Sequence, residues 1–284
     1  MPPSSAGAVL WSVDEPDFYL QDDVIGGQRT LAADASAFLP VTTSSSGPAA
    51  GALLDTATGR LLTGRLTTLG WYLVAAGDTL VATEHDTPGR DCAVTVTAVD
   101  GRTGTSAWNG TLYSRLRADG ECQKTLGRPY DGGPVLFGSG SAVASVTRTG
   151  RTTLTDVTTG TVRWTADQAG TPIAGDDRRL LVRDNAESGP VALLDLADGR
   201  RLWTVPDPGL PGTSASWDSA VAGDLVAVMG ATGDRPYVQI HDAATGRQLA
   251  RRGGWLTGLG DGWAMVSTSV DAAAGRLTLH MLRF

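Results

Sequence analysis

The chain has 284 residues, 30 of them acidic and 23 basic, giving a formal net charge of −7 and an isoelectric point near 4.9. No basic stripe exists to neutralise phosphates, so the sequence does not read as a nucleic-acid binder. No apolar run approaches the roughly 20 residues that a membrane-spanning helix needs, and 37 glycines with 14 prolines are too many for a mainly helical protein.

The chain opens on Met1-Pro2-Pro3-Ser4-Ser5, which lacks a signal-peptide pattern and reads as the edge of a domain excised from a longer protein. Gly7-Ala8-Val9-Leu10-Trp11 follows, with a short strand expected over 8–13. From there one phrase recurs: Asp, two or three small or polar residues, Gly, then a short apolar strand that often carries Trp four residues after the Gly. It appears as Asp55 to Gly59, Asp100 to Gly104 with Trp108, Asp156 to Gly160 with Trp164, Asp195 to Gly199 with Trp203, and Asp242 to Gly246. Thr63 and Ala250 stand where the first and last of these five would place Trp.

The phrase encodes a hairpin turn. An Asp side chain can accept bonds from the amides just ahead of it, and Gly adopts positive φ at low cost. The Trp then lies on the strand after the turn, where a large ring can fill the wedge between neighbouring sheets. Successive glycines of the phrase, starting at Gly7, are 52, 45, 56, 39 and 47 residues apart. Each interval accommodates four strands, the period of propeller blades.

The expectation is therefore an all-β chain forming a single β-propeller over 1–284, of about six four-stranded blades, with seven as the alternative. The blades fall at about 23–66, 67–112, 132–167, 171–204, 214–250 and 255–284. In the fourth, strands are expected at 171–175, 179–184, 190–195 and 200–204. The last blade stops after its third strand, and 8–13 supplies the fourth. That arrangement closes the ring and pairs both free sheet edges.

The phrase resembles the repeat of the PQQ-like (quinoprotein alcohol dehydrogenase-like) propellers, related in architecture to WD40 and YVTN-like repeats. Ala192-Leu-Leu-Asp195-Leu-Ala-Asp-Gly199-Arg-Arg-Leu-Trp203 is its best copy, and the resemblance covers nearly the whole chain. Enzymes of that class hold their quinone with a stacked Trp, a calcium site with a catalytic Asp and, in many members, adjacent cysteines. This chain has no adjacent cysteines and no matching calcium-ligand set, so no cofactor and no metal are expected. The abundance of arginine over the single Lys124 is the bias of a high-GC, actinobacterial type of genome.

Residues with chemical potential are few. Cys92 and Cys122 both fall in connections expected on one face, the top, of the propeller. A disulfide between them would tie the long 109–133 connection to its neighbour and favour a location outside the cytoplasm; two unrelated thiols are the alternative. His241 and His280 read as structural, and no histidine pair has metal-type spacing. No G-x-S-x-G elbow is present, and Asp22-Asp23 and Asp176-Asp177 read as turn residues. The expected binding residues, all on top-face connections, are His85, Arg90, Tyr130, Asp131, Trp217, Asp218 and Trp255. Aromatics beside carboxylates and arginines can grip a protein, a peptide or a small ligand.

Two functions remain open at this stage. The first is a non-catalytic recognition, sensor or scaffold propeller, monomeric and exposed at the cell envelope, as part of a larger or membrane-anchored protein. The second is a propeller enzyme (a lyase, hydrolase or cyclase) with its site at the channel mouth.

Overall fold

In the computed structural model the described residues are 19–20, 38–42, 51–55, 57–62, 73–83, 93–113, 137–139, 141–184, 189–209, 219–233, 235–271 and 276–284. Among them every regular element is a strand, and every pairing is antiparallel between neighbours close in sequence. β1 (Tyr19–Leu20), β2 (Phe38–Thr42), β3 (Gly51–Asp55) and β4 (Leu61–Leu62) form the first sheet in chain order. Two further meanders follow. One runs through β5 (Leu73–Ala76), β6 (Thr79–Thr83), β7 (Ala93–Asp100) and β8 (Ser106–Tyr113). The other runs through β9 (Phe137–Ser139), β10 (Ala142–Val146), β11 (Arg151–Asp156) and β12 (Val162–Ala169). A single pair, Val146 with Tyr113, joins these two meanders into one eight-stranded sheet.

The fourth unit comprises β13 (Thr171–Gly175), β14 (Arg179–Arg183), β15 (Val191–Asp195) and β16 (Arg201–Val205). These strands lie where the repeat places them. The fifth unit is β17 (Ala220–Ala222), β18 (Leu225–Thr232), β19 (Arg235–Asp242) and β20 (Gln248–Gly253). The sixth has three strands, β21 (Trp255–Gly260), β22 (Trp263–Asp271) and β23 (Arg276–Arg283), and no described strand pairs with the outer edge of β23.

The middle strands of the fourth unit are apolar on both faces because that sheet is covered on both sides. Val191, Ala192, Leu193 and Leu194 of β15 are all buried. Ala192 and Leu194 pack with Leu180 and Val182 against Ala142, Ala144 and Leu154 of the third unit. Val191 and Leu193 point the other way, against Val226 and Val228 of the fifth. Burying each such side chain contributes about 1.5–3 kcal/mol, which is why an uninterrupted apolar run is stable here as a strand. The outer strands, such as β16, are largely exposed and carry the polar residues.

All five turns of the repeated phrase have one geometry. The amides of Gly59, Gly104, Gly160, Gly199 and Gly246 donate to the carbonyl of the phrase's own Asp at 2.7–2.9 Å. In the first three turns the Asp Oδ1 accepts the amides two and three residues ahead, as in Asp156 with Thr158 at 2.9 Å and Thr159 at 3.0 Å, while Asp195 accepts that of Ala197 and Asp242 that of Thr245. The glycines lie at φ between 67° and 73°, in the left-handed region.

The three indoles do more than fill a wedge, because each reaches forward to the following unit. Trp108 Nε1 donates to Val157 O at 2.6 Å, Trp164 Nε1 to Leu196 O at 2.8 Å and Trp203 Nε1 to Ala243 O at 2.8 Å. Each acceptor is the residue directly after the Asp of the next turn. The ring also covers that turn's glycine, so a Cβ on Gly160, Gly199 or Gly246 would sit within 2.9, 2.6 or 2.7 Å of Trp108, Trp164 or Trp203. One side chain thus satisfies a carbonyl and excludes any side chain but hydrogen at the glycine.

Candidate functional site

The inner hairpins of the units lie at the same end as the Asp–Gly turns. The amides of Gly101, Val157, Leu196 and Ala243 donate to the hairpin carbonyls of Asp78, Ser141, Arg178 and Asp224. The opposite end therefore carries both other kinds of connection, those between second and third strands and those that cross from one unit to the next.

Most of the expected site residues fall, in sequence, within segments between described strands. His85, Arg90 and Cys92 lie between β6 and β7; Cys122, Tyr130 and Asp131 between β8 and β9; Trp217 and Asp218 between β16 and β17. All eight lie outside the described residues, as do 8–13. Trp255 is described. It begins β21 at the connection end, is 36% exposed, and its carbonyl accepts from Ser267 Oγ.

The connection end presents further charged and aromatic groups. Arg251 stacks over the Tyr237 ring, 3.7 Å from its centroid, and Arg251 Nη2 donates to Thr232 Oγ1 at 3.2 Å. Arg252 Nη2 donates to the His280 ring at 3.1 Å. Arg151 pairs with Asp167 at 3.3 Å. A cleft of about 390 Å³ opens between the third and fourth units, bordered by Asp167, Asp184, Pro190, Arg201 and Thr204. A second, of about 510 Å³, lies at the turn end beside Arg163, Asp177, Arg178 and Leu202. Arginines and aspartates in both suit ion-pair and hydrogen-bond recognition of polar chains. Among the described residues no cluster of three His, Cys, Asp or Glu could hold a metal ion.

Beneath this rim, a polar chain crosses the interior of the fifth unit. Tyr237 Oη donates to Pro208 O at 2.6 Å, Gln239 faces Tyr237, His241 Nε2 lies 3.1 Å from Gln239 Oε1, and His241 Nδ1 lies 3.0 Å from Gly246 O. Burial pushes the His241 imidazole below its ordinary value, the Gly246 carbonyl opposing it. Its ring stacks on Trp203, with centroids 5.7 Å apart. His241 is thus structural, as expected. Arg183, at the end of β14, is fully buried, and burial holds its guanidinium below the usual value against the pull of Asp207 and Tyr237.

At the turn end the carboxylates are stabilised in their charged form. Hydrogen bonds lower Asp55 chiefly through the Thr58 amide, Asp100 through the Thr103 amide, Asp156 through the Arg163 side chain and Asp242 through the Thr245 hydroxyl. These groups hold turns and leave no lone pair free for chemistry at their inner oxygen. Asp176 likewise caps its own hairpin, accepting from the Arg178 and Arg179 amides and pairing with the Arg179 side chain.

Repeated turns, forward-reaching indoles and sheets buried on both faces are the structural signature against which family resemblance can be weighed. A family model described as outer membrane protein assembly factor BamB, of PQQ-like repeat type, matches residues 93–253, more than half of the chain. The chain belongs to this BamB family of PQQ-like repeats. The match begins at β7 and ends with β20, enclosing all three indole locks. Similar solved structures include BamB from Moraxella catarrhalis, 20% identical with a TM-score of 0.41, over 69% of this chain and 53% of that one. The chain thus spans about half the length of that BamB. The computationally designed Ika8 protein is 15% identical with a TM-score of 0.46, over 87% of this chain and 81% of that one. The uncharacterized protein lmo1340 from Listeria monocytogenes EGD-e is 10% identical with a TM-score of 0.49, over 91% and 76%. No curated protein matches the sequence.

Proposed function

We propose that this BamB-family chain is a non-catalytic scaffold that engages a protein partner through its connection end, outside the cytoplasm. The observation that carries the reading is the family match across 93–253 on a framework whose longer connections leave from one end. A family described as an assembly factor supports a role in holding proteins together. The stacked Arg251–Tyr237 pair and the exposed Trp255 are anchors of the type that dominate protein interfaces. His85, Arg90, Tyr130, Asp131, Trp217 and Asp218 complete the proposed surface, and a Cys92–Cys122 disulfide steadies it.

The same proposal includes ring closure with six blades over 1–284, at the blade boundaries expected from the repeat. Leu279 and Met281 of β23 are 57% and 55% exposed. Counting back from the turn position, they match Val238 and Ile240, which are buried against the following sheet. The Phe284 amide donates to Gly262 O as the Ala243 amide donates to Asp224 O. β23 therefore reaches the position where other units begin the Asp–Gly turn, and Gly7 to Trp11 carries the rest of the phrase. In the closed ring, 8–13 pairs with β23 and the first sheet covers Leu279 and Met281.

A photo-crosslinking residue placed at Trp255 and, separately, at the turn-end position Ala197 tests the interaction surface in cells of the source organism. Capture of one defined protein from Trp255 and not from Ala197 is the expected result. Equal capture from both ends, or none from either, rejects the connection end as the interface. Thiol counting on protein from its native compartment tests location: no free thiol is expected, and two would remove the disulfide and the argument for an oxidising environment.

A further inference from the structure

Arg183 is an anomaly of charge. It is 0% exposed, and its Nε and Nη1 have no hydrogen-bond partner. Only Nη2 reaches an acceptor, Met229 O in the fifth unit, at a long 3.4 Å. No carboxylate among the described residues lies within ion-pairing distance; Asp207 acts on Arg183 from further away, is exposed, and accepts the Gly209 amide. A guanidinium does not lose its proton in a protein, and an unpaired interior charge is among the costliest features a fold can carry.

The repeat does not require this arginine. Counting strand positions from the Asp of each turn, Arg183 matches Thr83 in the second unit, Val146 in the third and Met229 in the fifth. None of these three residue types carries a charge. A second orphan accompanies it. Thr171 of β13 pairs directly with Arg183 of β14, so the two side chains share one face of the sheet. The Thr171 hydroxyl is also buried and without a partner. Two adjacent, buried, unsatisfied donors, one of them cationic, face the fifth unit together.

We propose that Arg183 and Thr171 hold a small monovalent anion, of the size and charge of chloride, between the fourth and fifth units. A buried water would offer lone pairs to both donors but leave the positive charge uncompensated. An anion supplies lone pairs and charge together. Full burial selects a halide-sized ion over a ligand with a long tail. The site is buried beneath the connection end, and the inference does not rest on the proposed partner surface.

Bromide is the probe. Crystals grown in sodium bromide should show an anomalous peak within hydrogen-bond distance of Arg183 and Thr171; a water there, without anomalous signal, overturns the proposal. In solution, the thermal midpoint of the whole chain should rise with sodium chloride relative to sodium gluconate at equal ionic strength. The expected slope is about 2–5 °C per tenfold chloride above its Kd. Arg183→Met, which installs the residue type found at the matching position of the next unit, should abolish this anion-specific rise, and Thr171→Val should weaken it. A midpoint insensitive to chloride, or an equal rise in Arg183→Met, refutes the site. Should Arg183→Met fail to fold, the bromide map and the Thr171→Val titration still decide.

Discussion

Gly199→Ala is the sharpest test of the interlocking of units. The substitution adds a methyl group at φ +73°, and its Cβ would lie 2.6 Å from Trp164 Cε3 and 2.8 Å from Cδ2. Two costs add. Holding an L-residue in the left-handed region costs about 1–2 kcal/mol, and forcing the indole aside costs about 1–3 kcal/mol more while stretching its 2.8 Å bond to Leu196 O. The sum is about 2–5 kcal/mol. Gly233→Ala isolates the first of these costs, because Gly233 has a similar φ of +59° with nothing within 4 Å of the added Cβ. It should cost only the conformational 1–2 kcal/mol. Urea unfolding followed by far-UV circular dichroism measures both, and the double variant Gly199→Ala/Trp164→Ala should lose less than the two single changes added together. Equal destabilisation by Gly199→Ala and Gly233→Ala would refute the claim that the indole excludes side chains at the turn glycine.

Other consequences follow from the same geometry. Trp203→Phe keeps most of the apolar surface but leaves the Ala243 carbonyl without its donor, so denaturant unfolding should show a loss of about 1–3 kcal/mol. The folded state lowers the His241 pKa. Stability should therefore fall as pH drops below the unfolded value near 6.5, and His241→Gln should flatten that slope in melts between pH 5 and 7.5. The turn carboxylates are also lowered, so their contribution is present above about pH 4 and lost on further acidification; Asp156→Asn should reduce that acid-dependent loss in melts carried below about pH 4. Deleting residues 1–13 should cause aggregation or a large drop in melting temperature if they cover the edge of β23. A truncated chain as stable as the parent would reject closure by that segment.

The fold was legible because its signal is local and repeated. Asp156, Gly160 and Trp164 sit within nine residues of one another, and the hairpin they specify depends on little beyond themselves. What Trp164 reaches was not legible, because Leu196 lies 32 residues ahead and the contact depends on how neighbouring sheets are offset. Arg183 hid for a different reason. Before Asp184, at the end of Leu180-Leu-Val-Arg, it reads as the polar exit of a strand, and its burial comes from the unit beside it. Tyr237, Gln239 and His241 alternate along β19 as a half-polar strand would, and an inward polar chain and an outward one look alike in sequence. The expected ligand residues fell on connections, where no periodicity constrains position. Of these, Trp255 is instead the first residue of strand β21.

The forward reach of the indoles gives the molecule a direction. Trp108 ties the second unit to the third, Trp164 the third to the fourth, and Trp203 the fourth to the fifth. The first turn has Thr63 and the fifth Ala250 at the corresponding position, so those junctions lack the tie. Cooperativity in such an array is a matter of nearest neighbours. Hydrogen exchange should therefore resolve a slow block spanning the second to fifth units, flanked by amides that open at lower free energy. Pulled from its ends, the chain should shed its first and last units before this block yields. A partner gripping the ends would then alter the outer units while the interlocked centre kept its shape.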